Sequence, residues 1–141
     1  MAARIRRVTT TRAGGASAAP FDTFNLGDHV GDDPAAVAVN RRRLATAIGV
    51  GEGRLVWMNQ VHGDRVELVE GPRDSAVDAT DALVTTVPGL ALAVVTADCV
   101  PVLLAAAAEH CGATYATPEE LAADQVAVEL LLAKLTPAAE S

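Results

Sequence analysis

Two places along the chain combine residue types that can do chemistry. His62 stands in Gln60-Val61-His62-Gly63, where a strand-like pattern ends. The following glycine lets backbone and ligand approach closely. An imidazole there can carry a proton or bind a metal, and it can equally be an exposed or hydrogen-bonded side chain. Cys99 stands in Thr96-Ala97-Asp98-Cys99-Val100-Pro101, a polar doublet set between two of the most apolar stretches of the chain. A carboxylate buried there without partners would cost on the order of several kcal/mol, so Asp98 should meet a metal, a cation or a set of donors. Backbone N–H groups at a strand end would serve as donors equally well, leaving Cys99 as a small core residue. A redox pair of Cys99 with Cys111 would require a reversible disulfide, and their spacing gives it little support.

Composition bounds what these residues can belong to. The chain has 141 residues, half of them apolar, which fits one compact domain over 1–141 with a modest core. Acidic residues outnumber basic ones, 18 to 11, and the only lysine is Lys134, so no basic stripe exists to neutralise a phosphate backbone and no nucleic-acid partner is expected. The arginine clusters, Arg4, Arg6 and Arg7 and then Arg41 to Arg43, read as solvated faces. Two cysteines without a C-x-x-C pair, and a basic N-terminus without a following apolar stretch, point to a reducing, cytoplasmic setting. The apolar run from Leu90 to Ala108 has the length of a membrane span. Asp98 near its middle and Pro101 oppose that reading, and two buried strands explain it better.

The elements that must position these residues follow from periodicity. Ile5 to Thr11 reads as a strand that ends in a loop at Gly14-Gly15. Pro20 to Asp33 reads as an ordered loop pinned by Phe21 and Phe24. A helix follows: Asp33 is placed to cap, Pro34 suits the first position, Val37, Leu44 and Ile48 recur on one face, and Gly49 closes the run. Leu55 to Val61 and Arg65 to Val69 read as a hairpin with His62 at its tip. Ala82 to Val87 and Leu90 to Thr96 read as strands around a type II turn at Pro88-Gly89, and Val100 to Leu104 as a fully covered strand. Thr117-Pro118-Glu119-Glu120 matches a capping box, and Leu121, Val128, Leu131 and Leu135 keep one helical face.

Taken together, several segments occur in the order seen in one family. They are Thr10-Thr11-Arg12 with Gly14-Gly15 and Ser17; Phe24-Asn25-Leu26-Gly27 leading to His29-Val30-Gly31-Asp32-Asp33; Asn40-Arg41; Trp57 before the Gln60 to Gly63 motif; Asp78-Ala79 with Asp81-Ala82; and Thr96 to Pro101. From about Ile5 to Leu104 the chain resembles the YfiH-like family, also labelled laccase-domain, polyphenol oxidase or peptidoglycan editing factor. The resemblance implies an α/β (α+β) layered sandwich of mixed β-sheet with flanking helices. It also implies a zinc-dependent purine nucleoside phosphorylase acting on adenosine, inosine, guanosine and methylthioadenosine with phosphate, together with adenosine deaminase activity. Copper-dependent phenol oxidation, an older label, ranks lower. By the same resemblance His62 and Cys99 are metal ligands, Asp98 orients a ligand or holds a proton, and Arg12, Ser17 and Asn40 line the substrate pocket. A histidine and cysteine with one further ligand leave a fourth zinc position open for water or phosphate.

The family's third ligand belongs to an H-A-G-W-like motif after Leu104, which this sequence lacks. Residues 1–104 therefore form the family-like core, and 105–141 a divergent tail with a terminal helix, truncated relative to the family. Three alternatives follow: His110 or Cys111 substitutes as the third ligand, a partner completes the site, or the chain is inactive. In the last case it would be a catalytically silent interaction module, and its unpaired sheet edges would favour self-association.

Overall fold

A computed structural model describes residues 6–51, 53–103 and 130–134. Its elements are β1 (Val8–Thr10), α1 (Pro34–Ile48), β2 (Leu55–Val56), β3 (Val66–Leu68), β4 (Ala82–Val84), β5 (Ala91–Thr96) and β6 (Leu130–Lys134). Four strands form a sheet in the order β1-β6-β5-β2, and β3 pairs with β4 in a second, two-stranded sheet. The class is α/β, as expected. Every ladder among the described residues is parallel, whereas mixed ladders were expected.

The helix forms where its local signals lie. The Asp33 side chain accepts from the Ala35 N–H at 2.9 Å, and Pro34, which has no N–H to satisfy, opens the first turn. At the other end Gly49 takes φ 77°, the Gly49 N–H donates to Thr46 O and the Val50 N–H to Ala45 O. This crossed pair satisfies carbonyls that a helix end leaves open, and it needs a residue without a Cβ penalty in the left-handed region. Val37, Leu44 and Ile48 are buried as expected, and Asn40 is buried on the same stripe.

Strand β5 is the centre of the molecule. Its neighbours are β6 and β2, and it separates two apolar clusters. Ala91 and Ala93 face a cluster with Leu26, Leu44, Ile48 and Leu55, to which Phe24, Trp57 and Val95 add. Leu92 faces the other side, with Val56, Val69, Val77, Leu83 and Leu90. The two-residue period of a strand divides its side chains between these faces, so a run that is apolar throughout is covered on both. The helix lies over the alanine side, and the β3–β4 sheet lies over the leucine side.

Three expectations are corrected. The hairpin does not form: β2 pairs with β5 and β3 with β4, both in parallel. The alternation of Val66 and Leu68 is compatible with any partner, and partner choice is decided by packing far away in sequence. Residues 100–103 are not a strand, and Val100 and Val102 are 86% and 67% exposed. Pro101 removes a ladder donor at the middle of that segment. Within the tail expected to be helical, Leu130–Lys134 is a parallel strand between β1 and β5. Here the ladder with β5 prevails over a helical period that its apolar residues also satisfy. The other tail residues lie outside the described set, His110 and Cys111 included.

Among the described residues no helix is long and apolar enough to cross a membrane. Leu92, fully buried at the centre of the second cluster, gives a direct test of this packing. Leu92→Ala should lower unfolding free energy by about 2–5 kcal/mol, seen as a lower denaturant midpoint at unchanged slope.

Candidate functional site

His62 sits in the connection between β2 and β3, and its backbone has φ 56°, in the left-handed region. Holding a non-glycine residue there costs about 1–2 kcal/mol. The compensation is Asp81. Its Oδ1 accepts from the N–H of Val61 at 3.0 Å and of His62 at 2.9 Å, and its Oδ2 from the N–H of Gly63 at 2.8 Å. Three hydrogen bonds to one carboxylate, all reached by solvent, oppose that cost. Gly63 is matched to this arrangement, because a Cβ at that position would lie 3.2 Å from Asp81 Oδ2.

The chain delivers Asp81 to this place by a parallel bridge and a turn. The Val77 N–H donates to Trp57 O and the Asn59 N–H to Val77 O, each at 2.8 Å. Residues 78–80 then turn, with the Thr80 N–H on Asn59 O and Thr80 Oγ1 on Asp78 O. The Asp81 and Ala82 N–H groups both donate to Arg65 O, at the entrance to β3. On the other side of the loop, Gln60 Oε1 accepts from the Val95 N–H at 3.3 Å and ties it to β5. The imidazole of His62 is exposed on this braced turn.

Cys99 and Asp98 follow β5 and are both exposed, with the thiol 4.0 Å from Asp98 Oδ1. The expected burial of Asp98 is therefore corrected: its carboxylate faces solvent, and the desolvation cost that called for a cation does not arise. An exposed imidazole and an exposed thiol have the donor chemistry of zinc, but a catalytic site takes three protein ligands. Among the described residues no group of three histidine, cysteine, aspartate or glutamate side chains is placed to hold a metal. His110 and Cys111, either of which was weighed as a substitute third ligand, lie outside the described residues.

The other expected site residues belong to a polar network that fastens the glycine-rich loop to α1. Asn40 is fully buried and Ser17 is 4% exposed. Asn40 Nδ2 donates to Ser17 Oγ at 3.0 Å and to Asn25 O at 2.8 Å, while Asn40 Oδ1 accepts from the Ala16 N–H at 2.7 Å. Ser17 Oγ in turn donates to Asp32 Oδ2 at 2.6 Å, which also accepts from Asn25 Nδ2 at 3.0 Å. Gly15 permits this closure, since a Cβ there would overlap Thr23 O at 1.9 Å. Arg12 presents its backbone O to the N–H groups of Thr23 and Phe24, and its guanidinium donates to Pro20 O.

Arg41 corrects the reading of its cluster as a solvated face. Its Nε and Nη2 donate to Leu26 O at 2.9 and 2.8 Å, and its guanidinium lies 4.1 Å from the centre of the Trp57 ring. Burial holds its pKa below the ordinary arginine value, with Asp28 opposing. Arg41 thus joins α1, the loop before it and the segment that leads to His62, while Arg42 and Arg43 are exposed. Sequence reasoning placed Arg41 and Asp81 in motifs but gave neither a role in positioning His62. Arg41 stands three residues before Leu44 and seven before Ile48, a helical spacing that was the available signal for its position.

The family described as multi-copper polyphenol oxidoreductase laccase matches residues 6–118. A purine nucleoside phosphorylase of Mycobacterium tuberculosis (strain H37Rv) is 75% identical over 115 residues, 77% of this chain and 46% of that protein. One from Streptomyces griseus is 53% identical over 129 residues, 88% of this chain and 52% of that protein. The chain spans about half the length of the curated relatives it matches. Among solved structures, YfiH of Bacillus licheniformis has a TM-score of 0.53 at 36% identity, over 56% of this chain and 33% of that one. YlmD of Geobacillus stearothermophilus has 0.52 at 37%, over 57% and 33%.

The network predicts a pH dependence. Burial opposes ionisation of Asp32, but the hydrogen bonds from Ser17, Asn25 and the Asp33 N–H together outweigh it and hold the pKa below the ordinary 3.8. A depressed carboxylate contributes stability that is fully present above its unfolded-state pKa and is lost as pH falls through the folded one. Stability of the unaltered chain should fall on acidification below about pH 4, where that loss begins. Asp32→Asn should start lower at neutral pH and lose less over that window, as read by denaturant titration at several pH values.

Proposed function

Because the chain belongs to the multi-copper polyphenol oxidoreductase laccase family, we propose that it carries part of the active centre of a zinc-dependent purine nucleoside phosphorylase. Its substrates are adenosine, inosine, guanosine or methylthioadenosine together with phosphate, and the same centre deaminates adenosine. The observation that carries this reading is the braced turn that presents His62, within a sequence 75% identical to a protein named purine nucleoside phosphorylase. A cytoplasmic location belongs to the same reading and rests on cysteine usage.

His62 and Cys99 would be the zinc ligands this chain contributes, with His110 as the candidate third. Zinc, when bound, supplies an electrophilic centre that polarises an oxygen of water or phosphate. Asp98, exposed beside Cys99, orients a ligand or holds a proton. Arg12, Ser17 and Asn40 shape the wall of the substrate pocket. For Ser17 and Asn40 this is done through the loop they fasten, since their side chains are spent within the protein. In phosphorolysis a phosphate oxygen bonds to the ribose anomeric carbon as the bond to the purine nitrogen breaks and its electron pair leaves with the base. In deamination water adds to the purine C6 and ammonia departs.

A second reading, a catalytically silent module that associates with a partner or with itself, draws on one observation. Val66, Leu68 and Val84 are exposed, and the β3–β4 register places them on one face. Metal analysis and a nucleoside assay separate the two. The purified chain should hold stoichiometric zinc and convert adenosine or inosine with phosphate into free base and sugar phosphate. His62→Ala and Cys99→Ala should each lose the metal and, with it, activity by at least about 100-fold. Absence of both zinc and phosphorolysis in the unaltered chain would favour the silent module.

A further inference from the structure

Asp81 has no part in the ligand set or pocket proposed above, yet its carboxylate meets three consecutive backbone N–H groups centred on His62. Consecutive N–H groups converge in this way only when the middle residues adopt special backbone angles, and His62 has φ 56°. The carboxylate is itself oriented, because the Asp81 and Ala82 N–H groups are held by Arg65 O and the preceding turn is closed by Thr80. The histidine side chain thus projects from a backbone whose conformation is set by a residue 19 positions later. We propose that Asp81 is the positioning residue of the site: its charge and its two acceptor oxygens hold the 61–63 backbone in the geometry from which the His62 imidazole works.

This rests on the reading that His62 is a working residue, and two variants probe it without touching the proposed ligands. Asp81→Asn keeps the shape but turns one oxygen into an N–H donor, which cannot accept from the backbone it faces. Gly63→Ala leaves the carboxylate intact and crowds it, since the added Cβ would lie 3.2 Å from Oδ2. The experiment is nuclear magnetic resonance of the isotopically labelled full chain, with zinc titration of the same samples and a thermal melt of each. The unaltered chain should show slowly exchanging, downfield amide protons at Val61, His62 and Gly63. His62 should also show the strong intraresidue Hα to amide Overhauser effect of a positive φ. Asp81→Asn should lose these signatures and bind zinc roughly 10- to 100-fold more weakly, and Gly63→Ala should weaken them in the same direction, while each variant keeps a single cooperative melting transition, lowered by the lost hydrogen bonds. Retention of the signatures in Asp81→Asn would overturn the positioning role. Should the unaltered chain bind no zinc, the metal reading fails, and the amide and Overhauser signals still decide what Asp81 does.

Discussion

Coverage of β5 on both faces is the constraint from which the rest of the molecule follows. A strand with Ala91, Leu92, Ala93 and Val94 all buried needs two partners on its flanks and two layers over its faces. The chain supplies α1 and its preceding loop on one side and the β3–β4 sheet on the other. The alanine side admits a helix at close range, and the leucine side is filled by valines and leucines from short strands and their connections. His62 and Cys99 both follow the C-terminal ends of adjacent parallel strands: one on the link that leaves β2, the other just beyond the end of β5.

Polar side chains then do what apolar packing cannot. Asn40 replaces an apolar residue on the buried stripe of α1, and the loss is offset because its amide joins three stretches of loop backbone and Ser17. A buried amide with its donors and acceptors satisfied specifies one arrangement of the loop more sharply than another leucine would. Arg41, one position on, does the same toward Trp57 and Leu26. Two neighbouring residues of one helix thereby fix both the glycine-rich loop and the approach to His62.

Much of this was legible in the sequence where the cause is local. The Asp33 cap, Pro34 and Gly49 delimit α1 because each acts within a turn of the helix end, and the apolar run 91–96 announces a covered strand by composition. Strand partners were not legible. The alternation at Val66 and Leu68 says which face is which and nothing about which strand lies alongside. Asp98 misled because a carboxylate within an apolar run looks buried, whereas β5 ends at Thr96 and the doublet emerges into solvent. His62 and Cys99 were singled out through the order of motifs. The role of Asp81 depends on three backbone N–H groups whose lack of a strand partner becomes visible only in three dimensions.

The placement of β6 has a bearing on how the chain reaches its native form. β1 begins at the eighth residue, and its ladder neighbour spans residues 130 to 134. Among the described residues β6 is the one strand beside β1, so that pairing closes a loop of more than a hundred residues. Parallel pairings between distant segments form slowly, because chain closure must be met before any contact rewards it. During that interval the β1-facing edge of β5 presents unsatisfied backbone groups to other nascent chains. The edge place of β1 in the sheet thus depends on the most distant ladder among the described residues.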